Sequence, residues 1–238
     1  MTALLETREL TRRFGGVTAI DNVNFAVDHK ELRCLIGSNG AGKSTFFKML
    51  TAQIPPSSGR IIFDNRDITD LEPSEISRLG IGIKNQVPDV LDGMSVEENI
   101  WLAARSRAGK DSALSVVEDT LALLDLKTRR KELVGNLAHG QRQWVEFGMV
   151  IALAPKLALL DEPTAGMTAA ETTRTAELIA ELNKTMAVIV VEHDMHFIRR
   201  LNAFVTVFHQ GCILAEGPMH KIMENEEVKN VYLGRDAA

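Results

Sequence analysis

The stretch Gly37-Ser38-Asn39-Gly40-Ala41-Gly42-Lys43-Ser44-Thr45 fits the pattern G-x-x-x-x-G-K-[ST]. The apolar run at 32–36 before it reads as a strand, and 44–50 after it suits a helix. Glycines there let backbone N–H groups turn inward as an anion nest, and the helix N-terminus adds partial positive charge. Lys43 then places a full charge near the β- and γ-phosphates of a nucleotide, and Ser44 offers a hydroxyl to magnesium.

Outward from this loop, runs at 24–27, 60–63, 157–160, 186–191 and 205–208 read as further strands. Several are apolar on consecutive residues, which suits strands buried on both faces of a parallel sheet. Helical patterns lie between them. Ser95-Val96-Glu97-Glu98 is a capping box opening a helix to about Arg107, and 112–126 predicts a second helix. A helix over 141–153 stops before Pro155, and Thr168-Ala169-Ala170-Glu171 caps another running to about Asn183. Residues 86–134 show helices and no convincing strand, so the expectation is an α/β core with a helical insertion. The tail from about Pro218 reads as helix covering the core.

The strand at 157–160 ends in Asp161-Glu162-Pro163. Ligands of α/β sheets sit beyond the carboxyl ends of strands. Asp161 is thus placed to hold magnesium through water, and Glu162 to polarise an attacking water as general base.

Composition bounds the possibilities. The chain has 238 residues, 45% hydrophobic and 25% charged, enough for one large α/β domain without disulfides. The two cysteines, Cys34 and Cys212, read as reduced structural thiols. A net charge of −5 argues against a protein built to grip nucleic acid. No apolar run approaches the roughly 18–20 residues of a membrane span, and the N-terminal segment has no apolar secretory core. Work at a membrane would require docking to another protein.

These features alone would suit many phosphate-loop ATPases and kinases. The segment Asn136-Leu137-Ala138-His139-Gly140-Gln141-Arg142-Gln143-Trp144 narrows the field, because it resembles the L-S-G-G-Q signature of ABC ATPases. Other marks of that family stand in order. Phe14 resembles the aromatic that stacks on adenine, with a core aromatic as the alternative. Gln86 resembles the lid glutamine that meets magnesium and water, with a solvated loop amide as the alternative. Ala165-Gly166-Met167 resembles the stretch that communicates across a dimer, and His193 the switch histidine facing the γ-phosphate. His193 and His196 have metal-pair spacing but no second ligand pair.

What the resemblance implies is a RecA-like phosphate-loop ATPase core with an N-terminal antiparallel β subdomain and an inserted α-helical subdomain. The single domain would span 4–238, with core in 4–85 and 155–238 and the helical signature subdomain in 86–154. It also implies ATP hydrolysis with Mg²⁺ in a head-to-tail dimer. The phosphate loop and Thr45 of one subunit would face Ala138, His139, Gly140 and Gln141 of the other, whether a second copy or a sister ATPase. Permease subunits and, indirectly, a periplasmic solute-binding protein would complete an importer, with this chain at the cytoplasmic face of the inner membrane. Residues Val87, Pro88, Val90, Leu91 and Trp101 would line the permease dock.

The signature carries Ala138 where serine is usual and His139 where glycine is usual, and 86–91 departs from commoner lid loops. Alanine there resembles the importers of branched-chain amino acids, amides and urea, as do Gly166-Met167 and the terminal Val231-Tyr232-Leu233-Gly234-Arg235. Within that branch, 140–149 and 207–211 most resemble the urea subunit, with the branched-chain amino acid subunit as the alternative. A non-transport ABC ATPase, a regulatory subunit of low turnover and a metabolic kinase remain competing readings.

Overall fold

A hairpin of β1 (Leu5–Phe14) and β2 (Val17–Val27) opens the chain, and β3 (Leu32–Gly37) runs through the glycine loop into α1 (Lys43–Leu50). β4 (Ser58–Phe63), β5 (Arg66–Asp67), α2 (Pro73–Leu79) and β6 (Ile81–Lys84) follow. Next come α3 (Val96–Leu123) and α4 (His139–Ala152), then β7 (Leu157–Asp161), α5 (Ala169–Asn183), β8 (Ala187–Val191) and α6 (Met195–Leu201). β9 (Phe204–His209), β10 (Cys212–Pro218), α7 (Met219–Glu224) and α8 (Glu226–Leu233) complete it. The structure, a computed structural model, describes residues 3–233, with backbone alone at 108–111 and 232–233; Gly234 and Arg235 lie outside it.

Two sheets organise these elements. The larger has the order β10-β9-β3-β8-β7-β6, parallel from β9 to β6 with β10 antiparallel at its edge. The smaller, β2-β1-β4-β5, is antiparallel throughout. The consecutive apolar runs are explained by two cores. Leu35, Leu159 and Ile189 face one core, shared with Phe46, Phe47 and the small sheet. Cys34, Ile36, Leu160, Val188 and Val190 face the other, shared with helices α3 to α6. A strand between two apolar layers has no polar face to show. Burial also pushes the Cys34 thiol up, which keeps it protonated and inert.

Between β6 and β7 no strand occurs among the described residues. The two helices expected over 95–107 and 112–126 are one helix of 28 residues. No proline interrupts 96–123, and a lone Gly109 costs only about 1 kcal/mol, less than fresh helix ends with unpaired backbone groups. Both expected capping boxes form, Ser95 with Glu98 and Thr168 with Glu171. α4 begins two residues earlier than its pattern predicts, with Ala138 at the N-cap. Ala138 has no side-chain acceptor, so the first N–H groups of α4 receive no side-chain cap, and only the reverse half of a capping box forms, with Gln141 Oε1 accepting the Ala138 N–H at 3.1 Å. β1 escaped the sequence reading because its alternation breaks at Glu9, whose φ is 49° beside a register shift between Thr7 and Leu10.

Candidate functional site

The glycine loop is shaped by what presses on it. A Cβ on Gly42 would stand 2.6 Å from Ala19 O and 2.8 Å from Ile20 Cδ1, and φ there is 105°. A Cβ on Gly37 would stand 2.5 Å from Phe208 O. Strands β2 and β9 thus fix the loop against the sheet, and only glycine fits at either end. Ala41 is buried, Ser38, Lys43 and Thr45 half-buried, and Asn39, Gly40 and Ser44 exposed. Lys43 Nζ donates to Gly37 O at 2.6 Å and Ser38 O at 3.1 Å, so its ammonium lies across the nest. Burial lowers the Lys43 pKa, and the charges of Glu162 and Asp161 oppose that, favouring the charged form.

Asp161 and Glu162 end β7. Burial, then the neighbouring Glu162 charge, raises the Asp161 pKa, while Lys84 and Lys48 pull it down. Such a carboxylate gains from an added cation. The exposed Ser44 hydroxyl is a second oxygen of the kind that suits Mg²⁺, which keeps waters and takes phosphate ligands. Glu162 has φ 42°, a left-handed conformation costing about 1–3 kcal/mol in a non-glycine residue. Its N–H is held by Val191 O at 2.9 Å, which carries the β7–β8 pairing past the strand end and fixes the turn.

Two other candidates converge on Glu162. Gln86 Nε2 donates to Glu162 Oε2 at 2.7 Å, and His193 Nδ1 lies 3.6 Å from Glu162 Oε1. The His193 side chain is 70% exposed, so its free edge is open to a ligand. Behind it sits Glu192, which the sequence reading passed over. Its buried carboxylate accepts the Thr164 hydroxyl and, at 3.0 Å, the His193 N–H. The turn after β7 is therefore tied to the end of β8. The available signal was a charge directly after five consecutive apolar residues, 187–191.

The signature residues stand apart. Ala138 and His139 are exposed, Gly140 buried and Gln141 half-buried. Among the described residues, no hydrogen bond or ion pair joins 137–141 to the glycine loop 37–45. The His139 ring instead packs on Gly166, where an added Cβ would stand 2.9 Å from His139 Cδ2. Gly140 lies against Glu171, whose Oε1 would be 2.8 Å from a Cβ. Phe14 is 46% exposed at the β1–β2 hairpin, with the Arg12 guanidinium 4.6 Å from its ring centre. It is a surface aromatic, so the core alternative does not hold.

The docking residues fall differently from expectation. Val87 is 75% and Leu91 48% exposed, whereas Val90 and Trp101 pack partly into the core. The groove beside the lid loop, about 580 Å³, is lined instead by Ile83, Asp89, Ala103, Glu146, Met149 and Leu153. No helix described is long and apolar enough to cross a membrane. Among the described residues no group of three or more His, Cys, Asp or Glu could hold a metal, so a cation here would depend on other oxygen donors.

Residues 20–165 match the family model described as ABC transporter. The chain is 31% identical to the high-affinity branched-chain amino acid transport ATP-binding protein BraF of Pseudomonas aeruginosa, covering 97% of this chain and 98% of that protein. Identity and coverage are the same for LivG, of the same description, from Escherichia coli K12. Among solved structures, the ADP conformation of an ATP-binding cassette of an ABC transporter superposes with a TM-score of 0.85 at 28% identity. That match covers 98% of this chain and 100% of the other.

Proposed function

This chain belongs to the ABC transporter family and is an ATP-hydrolysing, ATP-binding subunit, and we propose that it drives import of branched-chain amino acids. The solute rests on the relatives, whose printed function is branched-chain amino acid transport. Urea is the second reading, favoured by the resemblance of 140–149 to the urea subunit. None of the site residues would touch either solute.

The observation that carries hydrolysis is the convergence of Gln86 and His193 on the two oxygens of Glu162. In the proposed mechanism the loop N–H groups and Lys43 bind the triphosphate, and Phe14 stacks on the adenine. Glu162 takes the proton of the attacking water, and Gln86 orients that carboxylate. His193 faces the γ-phosphate. Ser44, Asp161 and Gln86 would hold Mg²⁺, which when bound offsets charge on the phosphate oxygens.

Residues 86–154 act in this reading as the helical signature subdomain of a single domain, with 4–85 and 155–238 as its core. The exposure of Ala138 and His139, and their separation from the glycine loop, support a head-to-tail dimer. The N-terminus of α4 then meets the nucleotide of a sister ATPase or second copy. Permease subunits would dock at the lid side, placing the chain at the cytoplasmic membrane face, with a periplasmic binding protein delivering solute.

The test is ATP hydrolysis in proteoliposomes holding this chain, its sister ATPase and the permease pair. Binding protein loaded with leucine should stimulate it. Stimulation by urea-loaded binding protein alone would move the chain to the urea reading, and hydrolysis indifferent to both would remove both solutes.

A further inference from the structure

The lid loop 85–89 hangs on side chains of α4. Glu146 Oε1 accepts the Asn85 N–H at 3.2 Å and the Asp89 N–H at 3.1 Å, gripping the loop on both sides of Gln86. Gln143 Nε2 donates to the Gln86 carbonyl at 3.3 Å. Glu146 and Gln143 are both buried. The other Glu146 oxygen accepts no hydrogen bond and faces Lys84 Nζ at 3.5 Å. Lys84 is fully buried at the end of β6, and it donates to Asn85 O at 3.1 Å. A carboxylate, an amide and an ammonium within the interior is a large desolvation cost, which apolar residues of similar size would avoid. None of the three touches Glu162. All three touch the backbone that carries Gln86 or the residues beside it.

We infer that Glu146, backed by Lys84 and joined by Gln143, is the positioning residue that holds the lid loop and so seats the Gln86 amide on Glu162. Its grip comes from two backbone N–H bonds, so it acts on the loop whatever side chains the loop carries. Glu146 also lines the groove beside the loop together with Asp89, so an element seated there would press on the same bonds. This inference rests on the reading of Gln86 as part of the hydrolytic site.

The test compares Gln86→Ala, Glu146→Ala and the double variant in the assembled transporter, reading kcat and KM for ATP. The expected result is a fall in kcat of about 10- to 100-fold in each single variant, as for a displaced catalytic contact. KM should stay unchanged, and the double variant should be no slower than Gln86→Ala alone. Glu146→Gln, which keeps an acceptor oxygen, should recover most of the rate. If Glu146→Ala does not fold, Gln143→Met carries the same comparison, since the buried Gln143 Oε1 accepts no hydrogen bond and its loss is tolerable. Multiplying effects in the double variant, or a normal rate without Glu146, would overturn the inference while leaving the Gln86 reading intact. A normal rate for Gln86→Ala would overturn both.

Discussion

Gln86 and Glu162, 76 positions apart in the chain, meet through a 2.7 Å hydrogen bond from the Gln86 amide to Glu162 Oε2. The bond leaves Glu162 Oε1 facing His193, and it fixes the carboxylate that the proposed mechanism uses as base. Glu162→Gln keeps an acceptor for that bond and removes the base. Turnover in the assembled complex should fall about 10²- to 10⁴-fold. Nucleotide titration should show binding retained. A turnover equal to wild type would mean that this chain's own site is silent and that a partner supplies the working one.

Lys43 is held over the glycine loop by two carbonyl oxygens, one of them at 2.6 Å. Transfer of its ammonium to phosphate exchanges neutral acceptors for charged ones. Lys43→Ala should weaken ATP binding by about 1.5–3 kcal/mol, the range for hydrogen bonds to charged groups. Calorimetric titration of the isolated chain checks this, and an unchanged affinity would remove Lys43 from the phosphate site.

Burial and the Glu162 charge hold the Asp161 pKa above the ordinary carboxylate range. The folded chain therefore binds the Asp161 proton more tightly than the unfolded chain does, and this site loses stability as pH rises from the unfolded to the folded value. Asp161→Asn removes that loss. Without nucleotide or magnesium at neutral pH its Tm should rise above that of wild type. The difference should vanish at acidic pH, where wild-type Asp161 is protonated. Hydrolysis should be lost at the same time. Scanning calorimetry at two pH values decides, and a variant less stable than wild type at neutral pH would refute the argument.

Glu192 joins the turn after β7 to the end of β8 from a buried position. Glu192→Ala leaves the Thr164 hydroxyl and the His193 N–H without this partner. The expected destabilisation is about 1.5–3 kcal/mol, measured by urea denaturation, because that is the range for hydrogen bonds to a charged group. A loss below about 0.5 kcal/mol, within the surface-substitution range, would show that the clamp contributes nothing.

Val87 and Leu91 expose apolar surface beside the lid loop. Val87→Glu with Leu91→Glu should leave the fold within about 0.5 kcal/mol of wild type, as exposed substitutions do. Solute uptake in proteoliposomes should be lost while ATP is still hydrolysed. Uptake at the wild-type rate would mean that the permease docks elsewhere.

Local pattern made much of this protein readable in its sequence. The glycine loop, the apolar run into it and the Asp161-Glu162 pair after another such run are contiguous signals. The capping boxes at Ser95 and Thr168 close within one helical turn, and both form as expected. Tertiary structure decided the rest. It made one helix of 96–123, whose Val96, Ile100, Ala104, Ala113, Val117 and Leu121 all pack into the same core on both sides of Gly109. It paired β1 across the bulge at Glu9, where alternation is lost. It buried Lys84, Glu146 and Glu192, charges that look in sequence like ordinary surface residues. It brought Gln86 and His193 to opposite oxygens of Glu162. Hydrogen-bond partners so far apart in the chain are set by how the strands line up in the sheet. No short-range pattern encodes that, because it depends on the packing of the whole core.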